Sequence, residues 1–407
     1  MLDALLQEVE GPTAVGLLSG GRLLRASRSC EGDRVFQVGS LSKAVTAMAA
    51  ARLCERGDIG LDEPIRRWLP RLDLAEADVA EAVTLRHLLL HRGGWEGDYY
   101  RDFGPTATAL GDYVSSLADL PQVAPLDHAF SYSNSGFGLV GHLVAEIRGC
   151  SFEQSVEDLV LAPLGMHRSG YPPAGEGPED LFRSAHPGGG LRSTVGDLLR
   201  FAEAQLRGEL EWLQAPEYVG GGLADAMALG WMVDNFSGTR VVRLGGAVGT
   251  GAGLVALVPD LGLGLVALGT SLSDLGELMG RLFRVEFGLV QEEPKAFPAE
   301  GGSLVPYTGC WRTALDDYRL CAEGDHLQMV RTSRGAYPNP EVPGGHRHPA
   351  LQLHRIGPDA FRAASGQRGD FVRRPSGEIG WFRWEGRLCR PLDEGQRAAL
   401  VPSAQPG

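Results

Sequence analysis

The chain has 407 residues, with 38 Lys and Arg against 51 Asp and Glu, a formal net charge of −13. At 43% hydrophobic and 22% charged, it has the composition of a globular protein long enough for two or three domains. The negative charge disfavours nucleic acid and anionic membrane as main partners, because both repel an acidic surface. The longest apolar stretch, Gly253 to Thr270, is split by Pro259-Asp260 and is not a membrane span.

The N-terminus, MLDALLQEVEGP, is acidic and lacks a basic segment and a long apolar run. It does not read as a signal peptide, so the expected compartment is the cytoplasm. Six cysteines are scattered, none at CxxC spacing. They read as free thiols, with a Cys310–Cys321 disulfide as the minor alternative.

Thr13 to Leu18 and Leu23 to Ala26 flank Ser19-Gly20-Gly21 and predict a β-hairpin. Val35 to Val38 is a short apolar stretch leading into Gly39-Ser40. Leu41 to Glu55 is apolar on nearly every face, the pattern of a helix buried inside a domain. From about residue 58 to 240 the pattern is mainly helical. Asp62-Glu63-Pro64 opens one helix, Thr84 precedes the run Leu85 to His91, and Ser193-Thr194 precedes Val195 to Leu206. Gly253 to Val258 and Gly262 to Leu268 read as central strands, and Leu272 to Phe287 as a final helix. Strands at both ends with helices between predict one mainly antiparallel sheet with a helical insertion.

Residues 291–303 have linker composition. Beyond them, short alternating stretches separated by turn signals predict a small all-β barrel or sandwich over 304–395, interrupted by a Pro- and Gly-rich loop at 333–349.

Only two lysines are present, Lys43 and Lys295, beside 36 arginines. Lysine can lose its proton inside a protein and arginine cannot. Ser40-Leu41-Ser42-Lys43 is an S-x-x-K spacing at the start of the buried helix, and residues three apart share a helix face. A neutral Lys43 amine there can take the Ser40 proton. Tyr132-Ser133-Asn134 adds a phenol and an amide. Arg243-Leu244-Gly245-Gly246 precedes a predicted strand, where a Gly-rich edge permits close backbone approach.

Other candidates are weaker. His87 and His91 stand at i, i+4 without the Glu of a metalloprotease helix. Capping and packing explain them better than a metal. His346 and His348 lie in the long loop and read as exposed. GTGAG at 249–253 is no dinucleotide fingerprint, and no G-x-S-x-G elbow is present. Trp95, Tyr99, Tyr100 and Phe103 either line an acyl pocket or pack the helical region.

Together, FQVGSLSKAVTA, the Y-S-N triplet, LDEPIRRWLP, VTLRHLLLHRGG, APLGM and GGGLRSTVGDLLRFAEAQL resemble the class C β-lactamase-like serine hydrolases, a family that includes penicillin-binding carboxypeptidases, D-aminopeptidases and esterases. The resemblance covers roughly residues 10–290. It implies an α+β fold, an antiparallel sheet flanked by helices, over a domain of residues 1–290. It also implies an acyl-enzyme on Ser40, with Lys43 and Tyr132 sharing the acid–base work and Asn134 orienting the acyl group. The third motif falls on Arg243-Leu244-Gly245. By the resemblance Arg243 keeps a cation for a substrate carboxylate, Leu244 lacks the usual hydroxyl, and Gly246 supplies an oxyanion N–H with Ser40. The stretch opening at Tyr307-Thr308-Gly309 is similar to the C-terminal barrel of some members.

The expected function is hydrolysis of small esters or amides. A D-amino-acid peptidase, a carboxypeptidase or a β-lactamase is the alternative, and a slowly acylated sensor is the non-enzyme alternative. No cofactor or metal is called for. The expected partner is a small ester, amide or lactam; the oligomeric state is left open.

Overall fold

The computed structural model describes residues 5–6, 8–20, 22–30, 33–172, 181–292, 303–335, 344–393 and 396. Most of the expected linker, residues 293–302, and Lys295 lie outside the described residues.

Eight antiparallel strands form one sheet in the order β2-β1-β10-β9-β8-β7-β6-β5. They are β1 (Ala14–Ser19), β2 (Arg22–Arg28), β5 (Tyr218–Val219), β6 (Ala226–Ala228), β7 (Trp231–Phe236), β8 (Thr239–Val248), β9 (Gly251–Val258) and β10 (Leu263–Gly269). β3 (Phe36–Gln37) and β4 (Arg192–Ser193) make a separate ribbon. Every residue of β9 and β10 is buried, as their unbroken apolar runs require of strands covered on both faces. The N-terminal β1 pairs with β10 from Ala14↔Leu268 to Ser19↔Leu263, so strands from both ends of the domain pair next to the β2 edge of the sheet.

Alternation along the strands divides the core in two. Val15, Leu17, Leu254, Ala256 and Leu265 pack with Leu275, Leu278 and Leu282 of α5 (Leu272–Phe287). Leu18, Val255, Leu257 and Val266 pack on the other side with α1 (Ser42–Glu55), α3 (Asn134–Arg148) and α4 (Val195–Leu206). Ser42 to Ala51 of α1 are all buried. Its five alanines let neighbours close in from every side.

Several boundaries are shorter than the sequence suggests. The segment after Pro64 is a single 3₁₀ turn, Ile65–Arg67. The run from Leu85 is helical only through Leu89 (α2), where Thr84 and His87 form a reciprocal N-terminal cap. His91 then turns the chain with φ of +55°, a conformation unusual outside glycine. The six cysteines form no disulfide, with Cys310 buried and Cys321 exposed. No described helix is long and apolar enough to cross a membrane.

The C-terminal domain is a closed eight-stranded antiparallel barrel, which decides between barrel and sandwich. Its strands are β11 (Gly309–Arg312), β12 (Asp316–Glu323), β13 (His326–Ser333), β14 (Leu351–Arg355), β15 (Ala360–Ala363), β16 (Arg368–Arg373), β17 (Ile379–Trp384) and β18 (Arg387–Pro391). Tyr307, Trp311, Tyr318, Phe361, Phe371, Phe382 and Trp384 cluster within it. A barrel of this size is just wide enough for side chains to fill.

The two domains touch through the β17–β18 hairpin. Its two-residue turn, Glu385-Gly386, has φ of +45° and +77°, the paired positive values of a tight hairpin turn. The Gly386 carbonyl accepts from Tyr132 N–H at 2.8 Å, and Leu388 N–H donates to Ser131 Oγ at 3.1 Å. Arg383, only 3% exposed, donates to the Phe130 carbonyl at 3.0 Å while paired with Asp370. Trp381 Nε1 donates to the Val123 carbonyl at 2.8 Å.

Candidate active site

Ser40 lies in a 3₁₀ turn, Gly39–Leu41, that runs directly into α1. Gly39 makes the entry with φ of +52°. A Cβ there would lie 2.6 Å from Ala247 N of β8, so a side chain would push the strand away.

Lys43 follows on the same face and is 1% exposed. Its Nζ lies 2.7 Å from Asn134 Oδ1, 2.7 Å from the Gly188 carbonyl oxygen and 3.2 Å from Ser40 Oγ. Gly188 belongs to a short helical turn, His186–Gly189. Two neighbours are pure acceptors and the third is a hydroxyl.

Tyr132 borders the same amine, with Lys43 Nζ 4.8 Å from its ring centroid. Its ring stacks on His91 at 4.6 Å. His91 Nδ1 accepts from Ser133 N–H at 2.9 Å, and its carbonyl accepts from Ser131 N–H. The histidine therefore holds both flanks of Tyr132. Burial, reinforced by Lys43, pushes its pKa down to about 3, so it stays a neutral acceptor. Among the described residues, no protein group hydrogen-bonds the Tyr132 hydroxyl.

Asn134 opens α3, capped by Ser133 Oγ accepting from Gly136 N–H. Its Nδ2 donates to Asp98 Oδ1 at 2.9 Å and to the Tyr100 hydroxyl at 2.6 Å. The Gly97 carbonyl accepts both the Asn134 and Ser135 N–H groups. The aromatic-rich loop splits between roles. Trp95 donates to Ser135 Oγ, Tyr99 and Phe103 pack on Tyr113, and Tyr100 joins the site.

β8 forms the opposite wall. Val248↔Gly251 and Phe236↔Thr239 close two-residue hairpins, which makes both hydrogen-bonded pairs. Alternating from them, Gly246 N–H points toward β9. Ala247 N–H points the other way, toward the turn holding Ser40. The donor beside Ser40 is thus one residue later than the Gly246 that the sequence suggests. Gly246 instead provides room. A Cβ on it would meet Ser40 N well inside contact distance and Ser40 Cβ at 2.8 Å.

The same alternation corrects Arg243. It shares a strand face with Gly245, where a Cβ would meet Leu272 of α5. Its Nε donates to Asp234 at 2.5 Å and its Nη2 to the Leu223 carbonyl. Arg243 therefore faces away from Ser40 with its charge paired. Leu244, 3% exposed, occupies the face shared with Gly246.

A cation does enter the site from the barrel. Arg387 of β18 pairs with Asp98, which is 1% exposed at its side chain. Its guanidinium carbon is 5.4 Å from the Tyr132 ring centroid. The segment that reaches the site is thus the 385–387 turn. The described part of the 333–349 loop runs beside β13, through the bridge Thr332↔Arg347. Asp98 and Arg387 carry no sequence signal by themselves, because 289 positions separate them.

Glu96 lies beside this junction, near Asp98 and the backbone of Ala314 in the barrel. Burial, then the Asp98 charge, raises its pKa to about 7. The unfolded chain ionises this carboxyl near 4.5, so the folded state holds the extra proton between those values. Stability from this group is full below about pH 4.5 and lost as pH rises to about 7. Glu96→Gln is expected to remove that slope, with a melting temperature above wild type at pH 8 relative to pH 5. Parallel pH curves for the two proteins would refute it.

Residues 8–284 match the Beta-lactamase family. The chain belongs to that family. Penicillin-binding protein 4 of Amycolatopsis lactamdurans is 33% identical over 195 residues, 43% of this chain and 51% of that protein. Esterase EstB of Burkholderia gladioli is 31% identical over 165 residues, 36% of this chain and 41% of that one. The match thus spans about half or less of these relatives. Among solved structures, SurE with D-Leu superposes with a TM-score of 0.74 at 20% identity, covering 96% of this chain and 98% of that one. The class C β-lactamase from Rhodobacter sphaeroides gives 0.56 at 19% identity, covering 69% and 98%. These likenesses show the β-lactamase fold. The first also spans the length occupied here by both domains.

Proposed function

We propose that the chain is a serine hydrolase acting on small esters or amides through an acyl-enzyme on Ser40. The observation that carries this reading is the environment of Lys43. A neutral amine has two N–H donors and one lone pair. The carbonyl oxygens of Asn134 and Gly188, each 2.7 Å away, take the two donors. The lone pair is then left for the Ser40 hydroxyl at 3.2 Å.

Ser40 Oγ attacks the acyl carbon as its proton passes to Lys43. The substrate oxygen gathers negative charge between the N–H groups of Ser40 and Ala247. Lys43, with Tyr132 beside it, returns the proton to the leaving group. Water then attacks the ester by the reverse proton path and releases the acid. Leu244 on the cleft side of β8, with Arg243 paired to Asp234 of β7, disfavours substrates that need a cation from that strand. That supports esters and simple amides over carboxylate-bearing lactams.

The test follows p-nitrophenyl butyrate and nitrocefin over many equivalents with wild type and Ser40→Ala. Sustained ester turnover, faster than lactam turnover and reduced about 10³-fold or more in Ser40→Ala, is expected. Release of a single equivalent would replace the hydrolase reading with a stably acylated sensor. Turnover surviving in Ser40→Ala would sink both.

A further inference from the structure

We infer that Arg387, delivered by the barrel, is a positioning residue for Lys43, acting through Asp98 and Asn134. The inference rests on the proposed role of Lys43 as the base.

The chain of contacts is continuous. Arg387 Nε and Nη2 face the two oxygens of Asp98. Asp98 Oδ1 accepts from Asn134 Nδ2 at 2.9 Å, and Asn134 Oδ1 faces Lys43 Nζ at 2.7 Å. An ionised carboxylate only accepts hydrogen bonds. It therefore fixes the amide with its nitrogen toward Asp98 and its oxygen toward Lys43. The reverse orientation would aim an N–H at the lysine and displace it from its acceptor.

A carboxylate that is 1% exposed needs a compensating cation. Among the described residues, the only cation paired with Asp98 comes from the barrel. Arg243 is spent on Asp234, on the other face of β8. Arg387 neutralises Asp98 without exchanging a hydrogen bond with Lys43. Removing its charge leaves an uncompensated carboxylate one amide away from the amine, which favours the ammonium over the reactive form.

The other groups facing the lysine and its partners are the neutral His91 behind Tyr132, Tyr132 itself, Tyr100 on Asp98, and Glu96 beside the barrel. Glu96 ionises within the tested range and responds to the Asp98 charge, so each variant is also measured on a Glu96→Gln background. His186, two residues before Gly188, is paired with Glu153, which also binds Arg183.

The experiment measures the rate at which a fluorophosphonate probe labels Ser40, from pH 5 to 10, by intact-protein mass. It compares the full-length wild type, Arg387→Met, Arg387→Lys and the double variant Arg387→Met/Asp98→Asn. Circular dichroism checks each fold. Arg387→Met is expected to label about tenfold more slowly at pH 7, with its acid limb moved up by about one pH unit. Arg387→Lys should keep most of the wild-type profile. The double variant, which removes both charges, should return the acid limb to the wild-type position.

A merely structural Arg387 would lower labelling without moving the limb, and Asp98→Asn would not restore it. That result, or a wild-type profile in Arg387→Met, overturns the inference. If Arg387→Met unfolds, the double variant and Arg387→Lys still decide: an acid limb away from the wild-type position in either one overturns it. Failure of wild-type Ser40 to label at any pH overturns the acyl-enzyme reading and this inference with it. Labelling of the wild type with an unmoved limb in the variants removes only the inference.

Discussion

Lys43→Met is expected to lose turnover by about 10³-fold or more, the scale of a positioned general base together with the nucleophile it activates. Methionine follows the lysine stem as far as Cε, ending one atom short of the amine, and fits beside the Tyr132 and Phe137 rings that flank Nζ. It cannot accept the Ser40 proton. It also leaves two buried acceptors, Asn134 Oδ1 and the Gly188 carbonyl, without their donor. Each such loss destabilises by about 1–3 kcal/mol. A fall in melting temperature should therefore accompany the fall in rate. Ester hydrolysis and calorimetry on one preparation separate the two effects. Turnover within tenfold of wild type would remove Lys43 from the mechanism.

Gly246→Ala is the second large effect. The added methyl would overlap the Ser40 backbone nitrogen and come 2.7 Å from Ser40 Cα. Neither neighbour is a flexible chain end, so β8 and the Gly39–Leu41 turn must separate. That movement pulls Ala247 N–H away from Ser40. Losing one such donor costs about 10²–10³-fold in rate. The strain of overpacking adds about 1–3 kcal/mol of destabilisation. Gly245→Ala provides the contrast. Its methyl would point to the Leu272 side chain on the other side of the sheet. A loss under tenfold in turnover is expected there. Equal losses at the two glycines would refute the assignment of strand faces.

The parts of the site legible in the sequence are those held by short-range geometry. Ser40 and Lys43 are three positions apart on one element, so helix periodicity alone brings them together. Tyr132 and Asn134 were found through motif resemblance, and the fold places Asn134 directly on Lys43. The central strands and α5 were readable because their apolar runs are long and bounded by clear turns. The face of each β8 residue was not readable. It depends on register, and a shift of one position exchanges the two faces. Arg243 is expected toward the substrate for that reason, whereas its side chain pairs with Asp234. Nor could the sequence show that a barrel turn lies against Tyr132. His91 was visible as a histidine, but its left-handed backbone and its bond to Ser133 N–H come only from tertiary packing.

The position of β1 between β2 and β10 has a consequence for how the protein is made. Ser19 finds its partner, Leu263, about 240 positions later in the chain. A ribosome adding 5–20 residues per second needs roughly 10–50 s to cover that span. Throughout that time one edge of the first hairpin has no strand to pair with, and an unpaired apolar edge invites association with other chains. The helical region can collapse early, but its sheet floor is finished only after β10 has emerged. The barrel follows, bringing Arg387. During synthesis Ser40 and Lys43 thus emerge well before Arg387, so on the proposed mechanism competence would arrive only with β18.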